Sequence, residues 1–147
     1  MGERRKIAYM MIREKIEKLR QCKDLMNEVH NVIEEEAAPV VSDLSLIRDL
    51  HCFAMRTFGK TRDSKRAFTF VVLFLYCPIA IAGIKKLDSG IRIKIAEAIG
   101  CHPTLVSRMY KNIYYNYIHF RDFRNLIDDM LAVSIDYMNR IQNAKTE

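Results

Sequence analysis

The sequence predicts an all-α fold: a helical domain with a central buried helix and a helix-turn-helix, flanked by long N- and C-terminal helices. Half of the 147 residues are hydrophobic, so a core is available, and only five are Gly and three Pro, which disfavours long loops. Apolar residues recur at three- and four-residue steps along most of the chain, and no Asn-Gly hairpin signal occurs. We expect about six helices and one domain of ordinary size with appended helices.

The first segment, residues 1–38, is predicted to be an amphipathic helical arm from Glu3 to Glu36. Pro39, after Ala37 and Ala38, sets this arm off from the rest of the chain. Packing against its own chain and pairing with a second copy are both compatible with the narrow apolar stripe, and we favour a homodimer contact. The stripe contains Tyr9, Ile12, Ile16, Leu19, Met26 and Ile33, with an alternative seam through Cys22, Leu25, Val29 and Val32.

The middle segment, residues 39–121, begins with a predicted helix from an Asp43 N-cap to a Gly59 C-cap. A charged turn, KTRDSKR at 60–66, follows, with Ser64 able to cap the next helix. Residues 67–84 then run for eighteen residues without a charge, just long enough to span a membrane. Pro78 divides the run and basic residues flank both sides, so we predict a buried central helix and no membrane contact.

A helix-turn-helix is predicted over residues 92–111, RIKIAEAIGCHPTLVSRMYK. Apolar residues fall where two short helices would pack together, at Ile95, Ile99, Cys101, Val106 and Met109. Ala96 is small enough to let the helices cross closely, and Gly100 can adopt the left-handed backbone that ends the first helix. Pro103 suits the first turn of the second helix. The second helix would therefore present a polar and basic face to a DNA major groove.

The run IAEAIGCHPTLVSR resembles the helix-turn-helix of the lactose-repressor family, in which a glycine turn precedes a Pro/Thr-Val-Ser-Arg recognition helix. It departs from that pattern at His102, where a Ser or Thr N-cap is usual, so a weaker cap or a direct DNA contact by the imidazole both remain open. Residues 60–120 also look like the Trp-repressor-like superfamily, which includes the DNA-binding domain of the bacterial replication initiator. These resemblances imply sequence-specific binding of double-stranded DNA.

Charge supports the same interpretation. The net charge is +6, and residues 56–111 hold eleven basic side chains against three acidic ones. We therefore predict a transcriptional regulator or a control protein of replication or a mobile element. Predicted base contacts are His102, Thr104, Ser107 and Arg108; predicted phosphate contacts are Arg62, Lys65, Arg66, Arg92, Lys94 and Lys111.

The last segment, residues 122–147, is predicted to be a packing or dimerisation helix from Asp122 to Gln142 followed by a polar tail. Its apolar residues recur at helical spacing, and we expect them to face a core or a partner. They are Phe123, Leu126, Ile127, Met130, Leu131, Ile135, Met138 and Ile141.

Signals for other chemistry are weak. The four cysteines are widely spaced without a C-x-x-C pair, which predicts a reduced cytoplasmic protein, no metal and no cofactor. No phosphate-binding glycine loop or H-E-x-x-H sequence occurs, so we expect no enzymatic activity. Two alternatives remain: a protein-protein interaction module that uses the long end helices, or a DNA strand-transfer enzyme that uses Tyr115 or Tyr117 beside His119, Arg121 and Arg124.

Overall fold

A computed structural model describes residues 2–23 and 36–146, and every regular element in these residues is a helix. The all-α prediction is confirmed. The described helices outnumber the six expected, because Cys77 and Asn112 each interrupt a stretch that the periodicity alone would leave continuous. The helices are α1 Gly2–Lys23, α2 Leu46–Phe58, α3 Arg62–Tyr76, α4 Pro78–Ile81, α5 Ser89–Ile99, α6 Pro103–Lys111, α7 Ile113–His119 and α8 Arg121–Thr146.

Helix α3 is the centre of the fold, since every residue from Ala67 to Tyr76 is buried. The prediction that residues 60–66 form a turn and that Ser64 caps the following helix is wrong. The Thr61 side chain accepts a hydrogen bond from the Ser64 backbone N–H at 3.0 Å, so the helix already begins at Arg62 and Ser64 is buried in its first turn. The helix ends before Pro78, which has no N–H to continue it. No described helix is both long and apolar enough to cross a membrane.

The first helix packs within the chain. Its stripe residues Ile12, Ile16 and Leu19 are fully buried, and α1 lies along α8. The Nε and Nη2 groups of Arg5 on α1 donate to the two carboxylate oxygens of Asp129 on α8, at 2.9 and 2.7 Å. A homodimer would therefore need a surface other than this stripe. The predicted continuation of the arm through Leu25, Met26, Val29, Val32 and Ile33 lies outside the described residues.

The predicted apolar face of the last helix is confirmed, because Ile127, Met130, Leu131 and Met138 are buried and its other predicted residues are partly buried. The helix begins at Arg121 and continues to Thr146, beyond the predicted end.

A buried polar contact joins α7 to α8 in this core. The Tyr117 hydroxyl donates to Asp128 at 2.6 Å, and both residues are almost completely buried. Burial raises the pKa of the Asp128 carboxyl to about 6, although the hydrogen bond from Tyr117 and the charge of Arg124 oppose the shift.

The segment before α2 is held by α3. The Val40 and Val41 backbone N–H groups donate to the Leu75 carbonyl, and the Tyr76 hydroxyl donates to the Asp43 carbonyl at 2.7 Å. The prediction that Asp43 caps α2 is wrong, because a short turn at residues 44–45 separates Asp43 from the helix. Its carboxylate accepts from the backbone N–H and hydroxyl of Ser45, and α2 starts only at Leu46.

Candidate nucleic-acid interface

Helices α5 and α6 form the short helical pair that the sequence predicts. Asp88 caps α5, since its carboxylate accepts from the Gly90 and Ile91 backbone N–H groups at 2.9 and 3.2 Å. Gly100 ends the helix at φ 81° and ψ 42°, a left-handed conformation that strains other residues. The Gly100 and Cys101 N–H groups both donate to the Ala96 carbonyl, so the turn is tied to α5.

His102 is the N-cap of α6. Its Nδ1 accepts a hydrogen bond from the Thr104 backbone N–H at 3.1 Å, as a Ser or Thr hydroxyl would do in this position. Pro103 then occupies the first helical position with its fixed backbone angle. Of the two roles that the sequence leaves open for His102, the structure shows the cap.

The outward face of α6 follows from which of its residues is buried. Val106 is fully buried, while Ile95 and Ala96 of α5 are buried in the same core. Four residues of the helix are exposed to solvent, three of them on the side opposite Val106. We call them the outward face of α6; they are Thr104, Leu105, Arg108 and Lys111.

Two predicted DNA contacts are instead bonded to each other. The Arg92 guanidinium donates to the Ser107 hydroxyl at 3.1 Å, which joins α5 to α6. The Arg92 Nε is buried with no hydrogen-bond partner, and the Ser107 hydroxyl lies 3.4 Å from the Pro103 carbonyl, to which it donates. Arg92 and Ser107 therefore link α5 to α6 in addition to the apolar packing between these helices.

A basic groove lies beside the outward face, between α6 and the start of α3. Four of its lining residues are basic, namely Arg62, Lys65, Arg66 and Arg108, and its volume is about 490 Å³. Because α3 begins at Arg62, positions 62, 65 and 66 share one side of a helix, which explains why these residues meet. The lining also includes Ile99, Leu105, Met109, Asn112 and Asn116, and among these described lining residues none is acidic.

Charge within the groove is only weakly compensated by the chain itself. Arg66 has an acidic neighbour in Asp63, at 3.9 Å on the exposed side of the helix, and its guanidinium lies 5.0 Å from the Phe123 ring centre. Burial lowers the pKa of His51, and the positive charges of Lys60 and Lys65 lower it further. Lys65 of the groove is therefore close enough to α2 to disfavour a charge on His51.

Two other predicted phosphate contacts lie elsewhere. Lys94 lines a separate groove between α2 and α5, together with Arg48 and His51, and its ammonium group is 3.7 Å from Glu97. Lys111 is exposed at the end of α6 and does not line the basic groove. The structure thus brings together three of the six predicted phosphate contacts, with one predicted base contact, Arg108.

The sequence analysis missed one residue of the outward face, Leu105. It is 46% exposed although it is a large aliphatic side chain on a short helix. Leucine at helical spacing ordinarily indicates a core position. Its place on the helix gives no clear signal, because Leu105 is as far around the helix from Thr104 as from the buried Val106.

Two exposed rings lie on α7. The Tyr115 and His119 ring centres are 4.1 Å apart, and Tyr115 is 60% exposed. Of the residues of the strand-transfer alternative, Arg124 donates to the Ile118 carbonyl and lies over the Tyr9 ring, and Tyr117 is buried.

The described residues contain no group of three or more His, Cys, Asp or Glu side chains arranged to hold a metal ion. All four cysteines are free, and burial raises the pKa of the Cys101 thiol beside the turn. The surface described above is therefore made of hydrogen-bonding, cationic and apolar groups. No protein-family model, curated protein or solved structure matches this chain.

Proposed function

We propose that this protein binds double-stranded DNA sequence-specifically by inserting α6 into the major groove. The observation that carries the proposal is the position of the basic groove directly beside the outward face of α6. A recognition helix needs exposed side chains that reach base edges and cations that hold the phosphates on either side. Thr104 and Arg108 provide the first kind of group, and Arg62, Lys65 and Arg66 provide the second.

The two groups of residues act differently. A guanidinium such as that of Arg108 can donate two hydrogen bonds to one guanine in the major groove, which distinguishes base pairs. Cations at the groove rim neutralise phosphates and release counterions, which strengthens binding to every sequence. Arg62 and Arg66 lie on the adjacent helix α3, so we expect their side chains to face the DNA phosphates when α6 enters the major groove. The biological role that fits is control of transcription, replication or a mobile element.

The experiment is a comparison of wild type, Arg108→Ala and Arg62→Ala, using fluorescence anisotropy with a duplex selected from a random library and with bulk duplex. Arg108→Ala should lose about 1–3 kcal/mol of preference for the selected duplex and nearly keep bulk binding, whereas Arg62→Ala should weaken both equally. Arg140→Ala is the control, because Arg140 is an exposed cation on α8.

Equal weakening of all duplexes by Arg108→Ala would contradict insertion of α6 into the groove. The same samples incubated with Mg²⁺ separate the two alternatives. Strand cleavage or transfer would favour the enzyme, and complete failure to bind duplex would favour an interaction module.

We also propose that the protein binds DNA as a homodimer, since one recognition helix reads only a half-site. The apolar stripe of α1 is buried within the chain. A different, apolar groove lies at the surface between α1 and α8. It is lined by Ile7, Met11, Ala132 and Ile135, with the Arg4 and Asp136 ion pair beside it at 2.8 Å. Sedimentation of wild type and Met11→Glu should show a dimer and a monomer; a wild-type monomer even with DNA present would refute the dimer.

A further inference from the structure

Leu105 is an apolar side chain placed among cations. It lines the basic groove with Arg62 and Arg108, and nearly half of its surface remains in contact with water. Its apolar neighbours in the groove, Ile99 and Met109, are both packed against the core, whereas Leu105 is not. A ligand that covers Leu105 would remove this apolar surface from water, which is favourable.

The position of Leu105 on α6 defines what would cover it. It lies in the first turn of the helix, next to Thr104 and one turn before Arg108, on the face that would enter a major groove. In the DNA major groove the one apolar group that a base presents is the C5 methyl of thymine. Polar base edges and phosphates would not give the leucine an apolar contact.

Building on the proposed function, we propose that Leu105 determines specificity by contacting a thymine methyl group, next to the guanine bound by Arg108. Three residues of helix advance about 4.5 Å, and base pairs are stacked about 3.4 Å apart. The two side chains therefore reach base pairs that are one or two steps apart. The preferred site should contain thymine within two base pairs of that guanine.

The test uses a duplex that full-length protein selects from a random library, and replaces its thymines by uracil one at a time. Uracil pairs as thymine does and lacks only the methyl group. One methyl contact is worth about fourfold in affinity, so wild type should bind one or two substituted duplexes about fourfold more weakly. Leu105→Ala should bind the same substituted and unsubstituted duplexes equally.

Two controls keep the result interpretable. Uracil at thymines farther from the guanine should leave wild-type affinity unchanged, and circular dichroism should show the same helix content in Leu105→Ala, because this side chain is half exposed. Salt-dependent binding with no uracil effect at any thymine, or an undiminished effect in Leu105→Ala, would overturn this inference alone. Failure to bind any duplex would overturn the proposed function together with it.

Discussion

The buried carboxyl of Asp128 gives the sharpest prediction about stability. Replacing it by asparagine keeps the size of the side chain and an oxygen that can accept the Tyr117 hydroxyl hydrogen bond, but removes the charge. In the folded protein the pKa rises from 3.8 to about 6, chiefly through burial. A shift of roughly two units corresponds to about 3 kcal/mol between the protonated and ionised forms.

The direction of the pH dependence follows from the raised pKa. The folded state binds the proton more tightly than the unfolded state, so the stability from Asp128 is complete below pH 3.8 and is lost as the pH rises through about 6. Asp128→Asn lacks this loss. The free energy of unfolding of the variant relative to wild type should therefore increase by up to about 3 kcal/mol between pH 4 and pH 7.

Urea unfolding at a series of pH values measures this difference. Asp122→Asn is the matched control, because it removes the same charge at an exposed position of the same helix, and its difference from wild type should stay nearly constant. A flat difference for Asp128→Asn, or one that falls with pH, would show that Asp128 is not held in the low-polarity contact described here.

Two further predictions concern the helical pair. His102→Ala should lower the free energy of unfolding by about 1 kcal/mol and His102→Ser should not, because only the alanine leaves the Thr104 N–H without its cap; equal urea midpoints for both would exclude a capping role. Arg92→Ala should lower the free energy of unfolding by about 1 kcal/mol, because it removes the hydrogen bond to Ser107. An unchanged urea midpoint together with weaker binding of all duplexes would show that Arg92 contacts phosphates, as the sequence predicts, and does not stabilise the helical pair.

Periodicity together with Gly and Pro predicts the elements whose ends have a strong local cause. Gly100 and Pro103 fix the turn of the helical pair because one adopts the left-handed backbone and the other favours a helix start. The uncharged run from Ala67 was likewise predicted to be buried, and α3 is buried from that residue to Tyr76.

The sequence did not reveal one contact between distant residues and one local cap. The bond between Arg92 and Ser107 joins two helices, and nothing at fifteen residues' separation signals it. Charged residues at 60–66 resemble a turn by composition, yet a Thr61 cap starts α3 there and places Arg62 and Arg66 on one face. The first of these features is a contact between two helices, and the second is a local cap whose effect outweighs the turn-like composition.

The central claim is that the basic groove beside α6 holds DNA phosphates, and the salt dependence of duplex affinity tests it most directly. The logarithm of the binding constant should fall linearly with that of the salt concentration for wild type and for the control Arg140→Ala, with the same slope. In a double variant with Arg62→Ala and Arg66→Ala, the slope should be smaller in magnitude by about two, since each phosphate contact contributes about 0.9. An unchanged slope in the double variant, or affinity independent of salt in wild type, would contradict the assignment of this groove to DNA.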